Sequence, residues 1–145
     1  NHCSASCGLV ASVRGCASSV RAAVRDIAVE RIYEYERALF QFGSKYITQP
    51  GNRLAIEYIA STLRSFGYEP DVQVFEPEPG VRTANVVATV RGRVSPELIY
   101  VVSSHFDSVE DGPGADDNTS GTTALLDVAR VLASSHVDGS VSSGW

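Results

Sequence analysis

Leu98-Ile99-Tyr100-Val101-Val102-Ser103-Ser104-His105-Phe106-Asp107 is the stretch on which the reading of this chain turns. Leu98 to Val102 is short, β-branched and aromatic, with no polar alternation. Such a run predicts a strand buried on both faces, as in parallel or mixed sheets covered by helices. Ligands of open α/β sheets bind just beyond the carboxyl ends of these strands. His105 and Asp107 stand at that place.

The continuation, Ser108-Val109-Glu110-Asp111-Gly112-Pro113-Gly114-Ala115-Asp116-Asp117-Asn118-Thr119-Ser120-Gly121, is rich in Gly and Pro and then acidic. It brings Asp117 to the start of a predicted helix that runs to about Ala133, with Thr119 or Ser120 as its cap. Imidazole and carboxylate together are an ordinary ligand set for Zn²⁺. Asp107, two residues after His105, is placed to accept the other ring N–H and so to orient the imidazole. Taken singly, these residues also suit blander roles. Asp116, Asp117 and Asn118 would make a turn and a cap, and a lone His at a strand end is usually structural. What favours a metal site over these roles is the family resemblance that the joined pattern carries.

His-Phe-Asp-Ser-Val, then Gly-Pro-Gly-Ala-Asp-Asp-Asn, then Ser-Gly and an apolar helix, resembles the first half of the active site of the M28 zinc peptidases. The similarity covers roughly residues 30 to 133. Gly51-Asn52-Arg53, a helix and Phe66-Gly67-Tyr68 add to it. The family comprises co-catalytic two-zinc aminopeptidases and carboxypeptidases. The resemblance implies that His105 binds one zinc and that Asp117 is shared between two. Asp107, the candidate catalytic residue, would orient His105. It also implies a cis peptide bond between Asp117 and Asn118.

The expected fold class is therefore α/β, a mixed β-sheet flanked by helices in a zinc-exopeptidase-like (phosphorylase/hydrolase-like) fold, cut before its second half. The remaining ligands and a Glu general base would lie downstream, and no Glu follows Glu110. His136 is the one imidazole after Asp117, and a lone exposed His is usually solvated. The implied reaction is hydrolysis of a peptide bond in a peptide or protein substrate, an aminopeptidase reaction by the resemblance, with this chain inactive alone. Two alternatives share the fold: a glutaminyl-cyclase-type acyltransferase, and a non-catalytic interaction module. Asp117-Asn118-Thr119-Ser120-Gly121 sides with the peptidases. Export, as a secreted or cell-envelope protein, is implied by resemblance alone.

Composition sets the outer bounds. The chain has 145 residues, 43% of them hydrophobic and 20% charged, enough for one modest core. The formal net charge of −5 argues against a nucleic-acid partner. No run reaches transmembrane length. Cys3, Cys7 and Cys16 all precede residue 20. With His2 they contain the parts of a metal knuckle, but incidental thiols in a loose tail over residues 1–19 are the preferred reading.

Between tail and site the pattern is helical, then extended. Val20, Val24, Ile27, Tyr35, Leu39 and Phe42 predict one long helix stopped by Gly43. Residues 43–52 read as a loop. Asn52 would cap a helix over Arg53–Phe66 carrying Ala55, Ile59, Leu63 and Phe66 on one stripe, closed by Gly67. Strands are expected at Asp71–Phe75, Asn85–Val90 and Leu98–Val102. In the last helix Ala124, Leu125, Val128, Val131 and Leu132 have core spacing. Residues 134–145 read as a second flexible tail, leaving 20–133 as the folded part.

Overall fold

The computed structural model describes residues 20–92 and 95–137. The expected tail over 1–19, with its cysteines, lies outside the described residues. So do the positions beyond 137 and the side chain of His136.

The predicted first helix is two helices. Residues 20–26 (α1) are helical, and α2 (Val29–Phe40) follows after a break at Ile27 and Ala28. Ala28 is extended, with φ −124° and ψ 124°. Its N–H donates to Asp127 Oδ2 at 3.2 Å. A carboxylate 99 positions away thus takes a donor that an unbroken helix would satisfy internally. The same carboxylate accepts Arg31 Nε at 3.2 Å and Arg130 Nε at 2.8 Å. Arg130 also bonds Asp26 through its side-chain and backbone oxygens. Val20, Val24 and Ile27, expected in the core, are exposed as a result of the break, whereas Leu39 is buried.

The next helix, α3 (Pro50–Ser65), begins earlier than expected. Gln49 is the extended residue before it and Pro50 takes the first helical position, where the missing N–H costs no bond. Asn52 is therefore inside the first turn and caps nothing. It is buried, donates to Lys45 O at 2.9 Å, and accepts Thr83 Oγ1 at 2.8 Å. The C-terminus behaves as read. Gly67 N–H bonds Arg64 O and Tyr68 N–H bonds Leu63 O, the paired closure of a left-handed glycine stop.

Two antiparallel strands follow, β1 (Asp71–Glu78) and β2 (Val81–Val87), joined by Pro79-Gly80. Asp71 pairs with Val87 and Phe75 with Thr83, and the register breaks before Glu78 meets Val81. The chain is thus mixed α and β, but the described residues form only this two-stranded sheet, not the three-stranded mixed one expected. Leu98–Val102 is the correction. It forms no strand, and all five side chains are exposed. Its composition favours a strand, but strand formation needs a partner, and among the described residues no ladder joins it to another strand.

The last helix, α4, runs over Ser120–Val137, four residues past the expected end. Its buried side is Thr122, Thr123, Leu126, Asp127 and Val131. Ala124 and Leu132, assigned to the core from the sequence, are exposed. The apolar spacing misplaced the face because three of the residues that face inward are polar.

The core joins these pieces. Leu39 of α2, Ala55, Ile59 and Leu63 of α3, Tyr68 and Leu126 of α4 are its buried centre. Tyr35 meets Phe66 edge-on at 6.4 Å and Phe42 meets Tyr58 at 5.8 Å. Tyr68 Oη donates to Ala129 O at 2.6 Å, tying the end of α3 to α4. Phe106 packs against the same core, which sets up the site.

Candidate metal centre

Phe106 points inward. In extended chain, neighbouring side chains alternate, so His105 and Asp107 both turn outward, and about half of each side chain is exposed. His105 Nδ1 lies 3.1 Å from Asp107 Oδ1. His105 Nε2 lies 3.2 Å from Asp117 Oδ1. The imidazole thus stands between two carboxylates, one on each nitrogen. With Nδ1–H donated to Asp107, the Nε2 lone pair faces Asp117.

Asp117 arrives through an unusual turn. Gly114 is left-handed, at φ 60° and ψ 55°. A Cβ there would lie 2.6 Å from Ser108 Cβ and 2.4 Å from Asp117 O, so only glycine fits. Thr119 N–H reaches back five residues to Gly114 O at 3.0 Å. Within this wide turn, Ala115–Thr119, Asp117 and Asn118 leave helical geometry. The Asp117–Asn118 bond is cis, as the resemblance implied. The Asp117 side chain is 83% exposed and so open to a ligand.

Asn118 performs the capping expected of Thr119 or Ser120. Its Oδ1 accepts Gly121 N–H at 3.2 Å, three residues on, while Nδ2 donates to Ser104 Oγ at 3.0 Å. Thr122 Oγ1 donates to His105 O at 3.0 Å. The start of α4 is therefore bonded on one side to the bearer of Asp117 and on the other to the backbone of His105.

The acidic loop between the two is held from below. Ser108 Oγ donates to Gly112 O at 2.7 Å and accepts Lys45 N–H at 2.8 Å. Ser44 Oγ donates to Val109 O at 2.8 Å. Lys45 Nζ donates to Pro113 O. Lys45 is fully buried, and burial pulls its ammonium below the usual lysine range, with the nearby Glu36 carboxylate acting in the opposite sense. Burial pushes Glu36 up, against a hydrogen bond from Thr123 and the charge of Lys45. Sequence reading passed over Lys45, Ser108 and Thr122. Nothing in their local pattern marks them, since each matters through a contact distant along the chain.

As donors to a metal, the residues fit in part. Two ligand atoms about 2.0–2.1 Å from one tetrahedral zinc sit roughly 3.3 Å apart. The 3.2 Å between His105 Nε2 and Asp117 Oδ1 is that separation. The count falls short. Among the described residues, no group of three or more His, Cys, Asp or Glu is placed to hold an ion.

Comparison with known proteins finds zinc metalloproteases and aminopeptidases. Residues 85–142 match the model of peptidase family M28. A protein of Leptosphaeria maculans named "Probable zinc metalloprotease" is 32% identical over 141 residues, covering 79% of this chain and 32% of that protein. An aminopeptidase of Pseudomonas aeruginosa is 40% identical over 80 residues, 52% of this chain and 15% of its own. Aminopeptidase Y of Saccharomyces cerevisiae is 37% identical over 65 residues, 45% of this chain and 12% of its own. The chain spans about a third of the length of the zinc metalloprotease relatives it matches.

Proposed function

Because residues 85–142 belong to peptidase family M28, we propose that this chain carries the His105–Asp117 portion of a zinc exopeptidase site, of the aminopeptidase kind, acting on peptides. The observation that carries the reading is His105 Nε2 facing Asp117 Oδ1 at 3.2 Å, with Asp107 behind the ring. The names of the relatives support zinc and support peptide hydrolysis at an amino terminus. The α/β make-up of the chain is compatible with the zinc-exopeptidase-like fold that belongs to this proposal.

His105 and Asp117 would hold the metal, and in the two-ion form of the proposal Asp117 would be shared between both ions. Bound zinc supplies Lewis acidity toward a peptide carbonyl and lowers the pKa of water. The chain's own part is positional. Asp107 keeps the proton on Nδ1, so that Nε2 presents its lone pair. The wide turn exposes the Asp117 carboxylate on the same side as that lone pair. Phe106 anchors the segment in the core, so the two outward groups share a rigid base. The carboxylates at 107, 110, 111, 116 and 117 repel one another unless a cation is near, which favours metal uptake. Among the described residues no third donor completes the set.

The test is a zinc titration followed by an assay on chromogenic aminoacyl substrates. Zinc should bind weakly, because two donors are fewer than the three or four of a working site. Binding should be lost in His105→Ala and in Asp117→Ala. The chain by itself should not turn over substrate. Zinc binding by His105→Ala equal to that of the unaltered chain would refute the ligand assignment.

A further inference from the structure

We propose that Lys45 is a positioning residue for this site: its buried main chain and ammonium clamp the two ends of the 108–113 loop, and so set Asp117 opposite His105. The proposal rests on the ligand reading above and extends it to a residue remote in sequence.

Full burial is the first observation. Lysine is almost never fully buried without a partner, because moving an ammonium out of water is costly. Lys45 has no exposed surface, yet it forms no ion pair among the described residues. Its ammonium donates instead to Pro113 O, and the carboxylate that acts on it is Glu36. A buried cation spent on one carbonyl is a poor way to stabilise a fold. It is a good way to fix a carbonyl.

The second observation is where the bonds fall. Lys45 N–H donates to Ser108 Oγ, one residue after Asp107. Lys45 Nζ donates to Pro113 O, one residue before Gly114. One residue therefore touches both feet of the loop, each next to a segment bearing a site residue. Ser108 closes the same loop internally through Gly112 O. Gly114 then packs on Ser108 so closely that a Cβ would collide with it. The path from Asp107 to Asp117 thus runs along groups that Lys45 holds. Lys45 itself is fixed by Asn52, which donates to its carbonyl.

The experiment compares Lys45→Met and Ser108→Ala with the unaltered chain. The readouts are zinc affinity by calorimetry, amide resonances of residues 108–119, and melting temperature. Met keeps the length of the side chain and removes the charge. Loss of groups that orient metal ligands typically lowers affinity by about 10–100-fold. At least a tenfold loss is expected in each variant, with resonance changes concentrated in 108–119. For Lys45→Met the melting temperature should fall, since Pro113 O loses its donor and Glu36 loses the nearby positive charge, so affinity and resonances are compared well below it. Unchanged affinity and unchanged loop resonances in folded variants would overturn the proposal. Should Lys45→Met not fold, Ser108→Ala decides alone: lost affinity supports the clamp, and unchanged affinity refutes it. Should His105→Ala leave zinc binding untouched, the ligand reading fails instead. The clamp is then judged by the resonances, with local changes supporting it and their absence refuting it.

Discussion

His105 Nε2 and Asp117 Oδ1 face each other at 3.2 Å although twelve positions of acidic and glycine-rich chain separate the two residues. The other nitrogen of the ring is engaged by Asp107 at 3.1 Å. Asp107 therefore acts on a metal only through the imidazole. Asp107→Ala should weaken zinc binding by about 10–100-fold, while His105→Ala removes it. Competition titration against a chromophoric chelator measures both. Equal losses in the two variants would mean that Asp107 is itself a ligand.

Gly114 sets the direction of the turn that presents Asp117. Its φ of 60° and the backbone oxygen 2.4 Å from an added Cβ leave no room for alanine. Gly114→Ala should cost about 1–3 kcal/mol of stability and displace Asp117 from His105. Denaturant unfolding and zinc titration on the same sample check the two effects. A variant as stable as the parent would show that the loop relaxes freely.

Asp127 is fully buried between two arginines and the N–H of Ala28. Burial alone would raise its pKa, but the hydrogen bonds from Arg130, Ala28 and Arg31 outweigh it and hold the carboxyl below its ordinary 3.8. A carboxyl more acidic folded than unfolded contributes its full stability above that value, and loses it as the pH falls through the lower folded one. Asp127→Ala should cost about 2–3 kcal/mol near neutrality. The gap between parent and variant should stay level at neutral pH and close below pH 3.8. Melting curves across an acid series measure it, and a gap that widens in acid would contradict the assignment.

These contacts explain what could and could not be read from the chain beforehand. Ala55, Ile59 and Leu63 declared α3 because its buried stripe is apolar and its glycine stop is local. His105, Asp107 and Asp117 stood out because their side chains are chemically specific at a short spacing. The break between α1 and α2 was invisible, since the group that accepts Ala28 N–H is Asp127, far along the chain. The phase of α4 was misread for a related reason. Thr122, Thr123 and Asp127 face inward because they bond to other elements, and no hydrophobic periodicity reports that. Lys45 carried no signal at all: burial of a lysine is a property of the assembled loop.

Leu98–Val102 leads to the last prediction. The five residues are 57%, 83%, 73%, 80% and 70% exposed, so both sides of the segment are open to water. Among the described residues, no backbone hydrogen bond joins 99–102 to the hairpin. Consecutive large apolar side chains with free backbone groups form a template for strand addition, and an exposed apolar patch promotes association. The chain should therefore self-associate as its concentration rises, with this segment as the contact. Ile99→Lys combined with Val101→Lys puts like charges on one side of the segment and leaves Leu98, Tyr100 and Val102 in place. Two such charges oppose pairing between copies without touching the core, which is built from Leu39, Ala55, Ile59, Leu63, Tyr68 and Leu126. The double variant should remain monomeric at concentrations where the parent sediments as larger species, with the helix content unchanged. Sedimentation velocity over a dilution series, read beside far-ultraviolet dichroism, gives both quantities. If the double variant associates as readily as the parent, the contact lies elsewhere.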